Sequence, residues 1–212
     1  MIPLRDHNPS GKFPILTYAL IFLNVIIFLY TISLPGENLE RFFYSFSLIP
    51  FFVTKGERLY SFFTSMFLHA SFGHLISNMI FLNIFGDNLE AKLGKIKYLL
   101  FYFLCGISAS IFQIFTNPSS KIPMVGASGA IAGLMGGYLY LFPKRKIDVL
   151  FSFGWFLRVV TLPAWTMLFY WFFYQLIYGL GSLTLPSIRG IAYFAHIGGF
   201  LTGFLTIKLW KK

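Results

Sequence analysis

Charge is scarce in this sequence. Of its 212 residues only 11% are Asp, Glu, Lys or Arg, whereas a soluble globular domain carries about 25%. That shortage excludes an ordinary solvated surface. The 57% hydrophobic content and 21% aromatic content gather into apolar runs long enough to cross a membrane. Nothing is left over for a second, soluble domain, so residues 1–212 read as a single polytopic membrane domain. Cysteine is nearly absent as well: Cys105 stands alone, which excludes an intrachain disulfide. No internal repeat stands out. About a dozen residues precede the first apolar run, and that run is itself long enough to span, so it reads as an uncleaved first helix rather than a signal peptide.

What is present is a series of six apolar runs. The spans are expected at about 13–33, 72–88, 98–115, 126–142, 164–180 and 191–208, giving an all-α bundle of six transmembrane helices. Leu34-Pro35-Gly36 closes the first span, Asn117-Pro118 the third, and Pro143 the fourth. Met1 to Lys12 reads as a polar tail, Gly86 to Lys97 as a charged turn, and Ile147 to Pro163 as a mixed connection. The stretch 36–70 is rich in Phe but broken by Pro50, Gly56 and several charges, a pattern suited to an amphipathic loop at the interface. Ser71 is a suitable N-cap for the second span.

Six spans put both termini on one side. With the termini inside, the inner segments hold Arg5, Lys12, Lys92, Lys95, Lys97, Lys144, Arg145, Lys146, Arg158, Lys208, Lys211 and Lys212. The outer segments hold only Arg41, Lys55, Arg58, Lys121 and Arg189. Twelve against five places both termini in the cytoplasm. The net charge of +10 is therefore topological; its partners are membrane lipids, and no nucleic acid is implied.

This topology aligns three polar groups. Spans two, four and six all run inward from the outer face. His74 lies three residues past Ser71, Ser128 two past Gly126, and His196 five past Ile191. At 1.5 Å per residue each sits within about 3–9 Å of its helix start, at one shallow depth. Polar groups buried in a membrane are candidates for function because burying them is costly. Gly129, Gly133 and Gly137 recur every fourth residue, as do Ala195, Gly199 and Gly203. Such ridges are common helix-packing devices, and they also permit the close approach that a Ser128–His196 hydrogen bond of about 2.6–3.2 Å requires.

Asn78, four residues after His74, shares its helix face. Together they could form an oxyanion hole, joined by the free backbone N–H of Ser128 in the first helical turn. An inter-helix hydrogen-bonding pair is the bland alternative. His69, just ahead of the span, is a supporting candidate, as are Gly126, Gly129 and Gly199. No carboxylate falls near His196, so the residues argue for a Ser–His dyad with His196 as general base and then general acid.

His74-x-x-x-Asn78, Gly126-Ala127-Ser128-Gly129 and Ala195-His196-Ile197-Gly198-Gly199-Phe200-Leu201-Thr202-Gly203, in this order on spans two, four and six, resemble the rhomboid intramembrane serine proteases. The resemblance covers the six-span core to Lys208. It implies Ser128 as nucleophile, His196 as base, His74 and Asn78 as oxyanion donors, and neither metal nor organic cofactor. It further implies transmembrane protein substrates, single-pass and cut in or beside their membrane segment. They would reach the site laterally past the fifth span with its Trp165, Phe169, Trp171, Phe172 and Phe173. Two departures stand out. The Trp-Arg pair of many members has no Trp here, leaving Tyr60, Phe62 and Phe63 to anchor the first loop. The aromatic that some members stack on the histidine is Ala132, leaving close packing at Gly199 to hold His196. The rival readings are a non-catalytic binder of transmembrane clients and, more distantly, a transporter; no inverted repeat favours the latter. A compact chain of this kind suits a prokaryotic cytoplasmic membrane.

Overall fold

The structure is a computed structural model describing residues 1–8, 10–153, 156–185 and 190–210. Arg189, Lys211 and Lys212, which entered the count of basic residues above, lie outside the described residues.

Each of the six apolar runs contains a helix. They are α1 (Ile15–Ser33), α5 (Phe72–Leu93), α6 (Lys95–Thr116), α7 (Ser128–Leu141), α8 (Ala164–Thr184) and α9 (Tyr193–Trp210). Among the described residues α1 and α6 are long and apolar enough to cross a membrane unaided. A third candidate is the segment Ser61–Phe67 joined to Phe72–Leu93, bent by 98° at the break. The remaining helices miss that standard for visible reasons. α7 has 14 residues, about 21 Å at 1.5 Å per residue, short of a hydrocarbon core of about 30 Å. α8 is diluted by Trp, Tyr and Gln175, and α9 by His196 and Lys208.

α7 is the axis of the molecule. Every residue from Gly129 to Leu139 is buried, because small side chains let α5, α6 and α9 close on it from different sides. A Cβ on Gly199 would come within 2.1 Å of the Gly129 carbonyl oxygen, and one on Gly203 within 1.9 Å of that of Gly133. Both glycines of α9 thus lie directly on the α7 backbone, and no larger residue fits there. The heaviest core packing lies nearer the other end of α7, where Phe85, Tyr98, Phe101, Tyr102 and Tyr138 are fully buried.

The all-α expectation needs correction. Ile2–Asp6 forms β1, Lys146–Phe153 β2 and Phe156–Pro163 β3, an antiparallel sheet in the order β1-β2-β3. β1 pairs with β2 from Ile2↔Leu150 to Asp6↔Ile147, with an irregularity between Pro3 and Arg5. β2 pairs with β3 from Lys146↔Pro163 to Phe153↔Phe156. Ile147 and Val149 point from the sheet into the helical core. The polar tail and the mixed connection are therefore one folded layer beneath the bundle.

The charged turn expected at 86–97 is also shorter than read. α5 continues through Asp87, Asn88 and Glu90 to Leu93 and turns only at Gly94, whose φ of +79° favours glycine. Its polar residues remain helical because each finds a partner. The Glu90 carboxylate accepts from the backbone N–H of Leu16 (3.0 Å) and Thr17 (2.8 Å) and from the Thr17 hydroxyl (2.9 Å). It thereby satisfies donors in the first turn of α1 that would otherwise have no acceptor.

The stretch 36–70 is only partly interfacial. The helix α2 (Gly36–Phe46) buries no residue, but Ser47 to Pro50 are sealed inside the protein. The short helices α3 (Pro50–Val53) and α4 (Ser61–Thr64) and the 3-10 turn Ser65–Phe67 follow. Arg58 does have aromatic support, though not from the residues expected. Its guanidinium lies over the rings of Tyr44 (4.4 Å) and Phe52 (4.2 Å) and donates to the Tyr44 carbonyl (2.8 Å). Tyr60 contributes a hydrogen bond to the Ser45 carbonyl (2.9 Å).

Candidate active site

The segment before α7 is pinned by the first loop. Leu48 and Met124 exchange backbone hydrogen bonds of 3.1 and 2.8 Å, and the Gly126 N–H donates to the Ser65 carbonyl at 2.9 Å. Gly126 then turns the chain with φ +118°. A Cβ at Gly126 would lie 2.7 Å from His74 Nε2 and 3.7 Å from Ser128 Oγ. Glycine is needed here twice, for the backbone angle and for the imidazole seated over it. The next turn begins α7 with Ser128 as its first residue, where the backbone N–H has no acceptor inside the helix.

Ser128 Oγ lies 2.9 Å from His196 Nε2. His196 is the fourth residue of α9, and the Gly199 contact on the Gly129 carbonyl holds α9 near enough for the two side chains to meet. Gly129 itself faces Ala109 of α6, where a Cβ would come within 2.6 Å of the alanine methyl. His74 and Asn78 both line the same cavity, a space of about 700 Å³ that also takes in Ser128, His196, Trp171 and Met135. That size is usual for a ligand-binding cleft, roughly 300–1,000 Å³.

The candidate residues stand in different relations to this pair. The Asn78 amide donates to the carbonyl of His74 one turn earlier (2.9 Å), leaving its second N–H free for the cavity. The His74 backbone N–H is capped by Ser71 Oγ (3.2 Å). His69 does not line the cavity with Ser128. It is buried behind His74, ring centroids 5.0 Å apart.

Two side chains of α8 reach His196: Gln175, which the sequence reading did not single out, and Trp171, which it placed only in the wall of the fifth span. Gln175 Oε1 lies 2.9 Å from His196 Nδ1. Trp171, one turn earlier, packs its ring against the imidazole with centroids 5.9 Å apart. The histidine is thus held from α8, not by Gly199, which sets only the helix separation. The overlooked signal was a polar side chain four residues from a Trp in an otherwise apolar, aromatic helix. An intramembrane amide rarely lacks a partner. α6 adds one more link, since the Ala195 N–H donates to Gln113 Oε1 (3.1 Å) at the start of α9.

Chemically, this arrangement juxtaposes a hydroxyl with an imidazole nitrogen at the mouth of a cavity, with further N–H donors nearby. That is what a nucleophile, a base and a site for a developing oxyanion require.

Comparison with known proteins covers the stretch that contains these residues. The family model of the Rhomboid domain matches residues 56–211. The chain is 32% identical over 199 residues to "Putative rhomboid protease YdcA" of Bacillus subtilis (strain 168), which covers 92% of this chain and 90% of that protein. It is 33% identical over 159 residues to "RHOMBOID-like protein 6, mitochondrial" of Arabidopsis thaliana, covering 72% of this chain and 44% of the relative. It is 32% identical over 195 residues to "Rhomboid protein 1, mitochondrial" of Saccharomyces cerevisiae, covering 90% and 51%. The chain spans about half the length of these two mitochondrial relatives and nearly all of the Bacillus one.

Proposed function

Since the chain belongs to the rhomboid family of membrane proteins, we propose that it is a serine endopeptidase cutting single-pass transmembrane proteins in or near their membrane segment. The observation that carries this reading is the 2.9 Å approach of Ser128 Oγ to His196 Nε2 at the edge of the cavity. As Oγ attacks the scissile carbonyl carbon, His196 Nε2 takes the hydroxyl proton. Collapse of the tetrahedral intermediate breaks the C–N bond, and His196 returns that proton to the departing amine. Water, deprotonated by the same nitrogen, then attacks the Ser128 ester, and as the C–Oγ bond breaks Nε2 returns that proton to Ser128 Oγ. The oxyanion is received by the Ser128 N–H, the His74 imidazole and the free N–H of the Asn78 amide. No step calls for a metal or cofactor.

The six helices α1 and α5 to α9 are the six spans of this reading, with both termini cytoplasmic. The N-terminal strand sits beside the α5–α6 turn and the end of α7, through Asn8, Asn88 and Tyr138. Lys97 at the start of α6 donates to the Trp210 carbonyl at the end of α9 (3.2 Å). Both ends of the described chain therefore lie near the α5–α6 turn, where Lys92, Lys95 and Lys97 cluster. Because α7 is short, Ser128 at its outer end lies below the membrane surface, which is where a transmembrane substrate presents its backbone. Phe169 and Phe173 of α8 face outward and form the wall such a substrate would pass. The family's mitochondrial and bacterial relatives fit either membrane for this chain, the prokaryotic cytoplasmic one among them.

Activity-based labelling of the detergent-solubilised protein with a fluorophosphonate tests the proposal. Wild type should label, whereas Ser128→Ala and His196→Ala should not. If wild type stays unlabelled beside an active rhomboid treated in parallel, the non-catalytic binder reading replaces it.

A further inference from the structure

The mechanism above leaves one half of His196 unexplained. A base that takes a proton through Nε2 must carry its own proton on Nδ1, and in the absence of a nearby carboxylate something else has to select that tautomer. We infer that Gln175 is the positioning residue of the dyad: its side-chain carbonyl accepts the Nδ1–H of His196 and so leaves Nε2 bare toward Ser128. This rests on the dyad reading.

Three observations carry the inference. Gln175 Oε1 is 2.9 Å from Nδ1, on the opposite side of the ring from the Ser128 contact. A carbonyl oxygen can only accept, so this pairing fixes which nitrogen is protonated. Gln175 is 6% exposed and is the one polar side chain among the five buried residues of α8. A buried amide is tolerated only where it is hydrogen-bonded. Trp171, at i−4 on the same helix face, lies against the imidazole and against Phe200, so the ring plane and the ring tautomer are both set from α8. An amide does this without adding charge, unlike a carboxylate, which would favour the imidazolium. The other titratable group facing His196 among the described residues is His74 on α5.

The test uses the full-length protein and the fluorophosphonate as probe. Gln175→Met keeps the bulk and removes the acceptor. Its labelling rate constant at saturating probe should fall by about 10²-fold, the scale of a misplaced catalytic group, while half-saturation and melting temperature hold. Gln175→Glu should restore the rate to within about tenfold and move the acidic limb of the pH–rate profile to higher pH, because a carboxylate favours the protonated ring. A Gln175→Met rate equal to wild type, or a Gln175→Glu rate no better than Gln175→Met, overturns the role. ¹⁵N spectra of labelled histidine separate this proposal from the protease reading. Wild type should carry its His196 proton on Nδ1, and Gln175→Met should shift to a mixture of tautomers, whether or not Ser128 labels. A wild-type proton on Nε2 overturns the inference independently of activity.

Discussion

The two ends of α7 bury polar side chains to opposite effect. At the sheet end the two carboxylates are saturated. The Asp6 carboxylate receives the Asn8 N–H (2.8 Å), the Asn88 amide (2.6 Å) and the Tyr138 hydroxyl (2.8 Å), and the Asn8 amide donates to Asn88 Oδ1 (2.7 Å). Glu90 nearby accepts three donors of its own. At the cavity end they are left open. Asn78 spends only one N–H on its own helix, and the His74 ring lines the cavity. A closed network fixes a structure, whereas an open one retains donors for an oxyanion. The difference predicts that mutations at the two ends should separate activity from stability.

The largest effect belongs to the cavity end. On the proposed mechanism, replacing His74 with Ala removes one oxyanion donor, and kcat should fall by about 10²–10³-fold, as for a single such donor in a serine protease. KM should change little, since the donor acts on charge that appears only in the transition state. The melting temperature should hold, because among the described residues the His74 ring has no hydrogen bond to another part of the fold. A large stability loss with kcat preserved would reverse the assignment of the two ends.

At the sheet end the opposite is expected. Tyr138→Phe removes one donor from Asp6 and should cost about 1 kcal/mol of stability while leaving kcat within about twofold. Burial pushes the Asp6 carboxyl above its ordinary range, and the bonds from Tyr138, Asn8 and Asn88 pull it back. A carboxyl raised in the folded state contributes stability below its unfolded pKa, near 3.9, and loses it as pH rises through the folded value. Removing a donor raises it further. The Tyr138→Phe deficit, read by thermal unfolding, should therefore be larger at neutral pH than at about pH 3.5. A deficit that is the same at both pH values would mean that Tyr138 acts by packing alone.

The cavity end was far more legible in the sequence than the sheet end. Ser128, His74 and His196 interrupt apolar runs at matched distances from helix starts, and the glycines at 199 and 203 fall at helical spacing, so local pattern alone brings them together. Gln175 is hard to see in the sequence because the usual third partner of a catalytic histidine is a carboxylate, and an amide among aromatics carries no charge to flag it. The extension of α5 past Gly86 was hidden for another reason. Asn88 and Glu90 look like a turn until their partners some eighty residues away are known, and non-local pairing leaves no trace in hydropathy. In β2, Lys146-Ile147-Asp148-Val149 alternates with period two, but the signal is brief beside six long apolar runs. β1 contains Pro3, which argues against a strand except at an edge, and an edge is where β1 lies.

The smallest expected effect lies at the outer surface of that sheet. Asp148 accepts from the Thr161 hydroxyl (2.7 Å) and from His7 Nε2 (2.8 Å), with Arg5 Nη2 at 3.3 Å. The hydrogen bonds from Thr161 and His7 are the main causes holding its carboxyl below the usual range. A depressed carboxyl contributes stability above its unfolded pKa and loses it as pH falls through the folded value. Asp148→Asn should therefore lower the melting temperature slightly at neutral pH and by less in strong acid. Because the site is solvent-accessible, the difference should also shrink in high salt, where exposed ion pairs are screened. Both shifts should be smaller than that of Tyr138→Phe, since water can replace the partners of an exposed carboxylate but not those of a buried one. If Asp148→Asn instead lowered kcat while leaving the melting temperature unchanged, the sheet would be coupled to the cavity through α7, and the division between a structural end and a chemical end would fail.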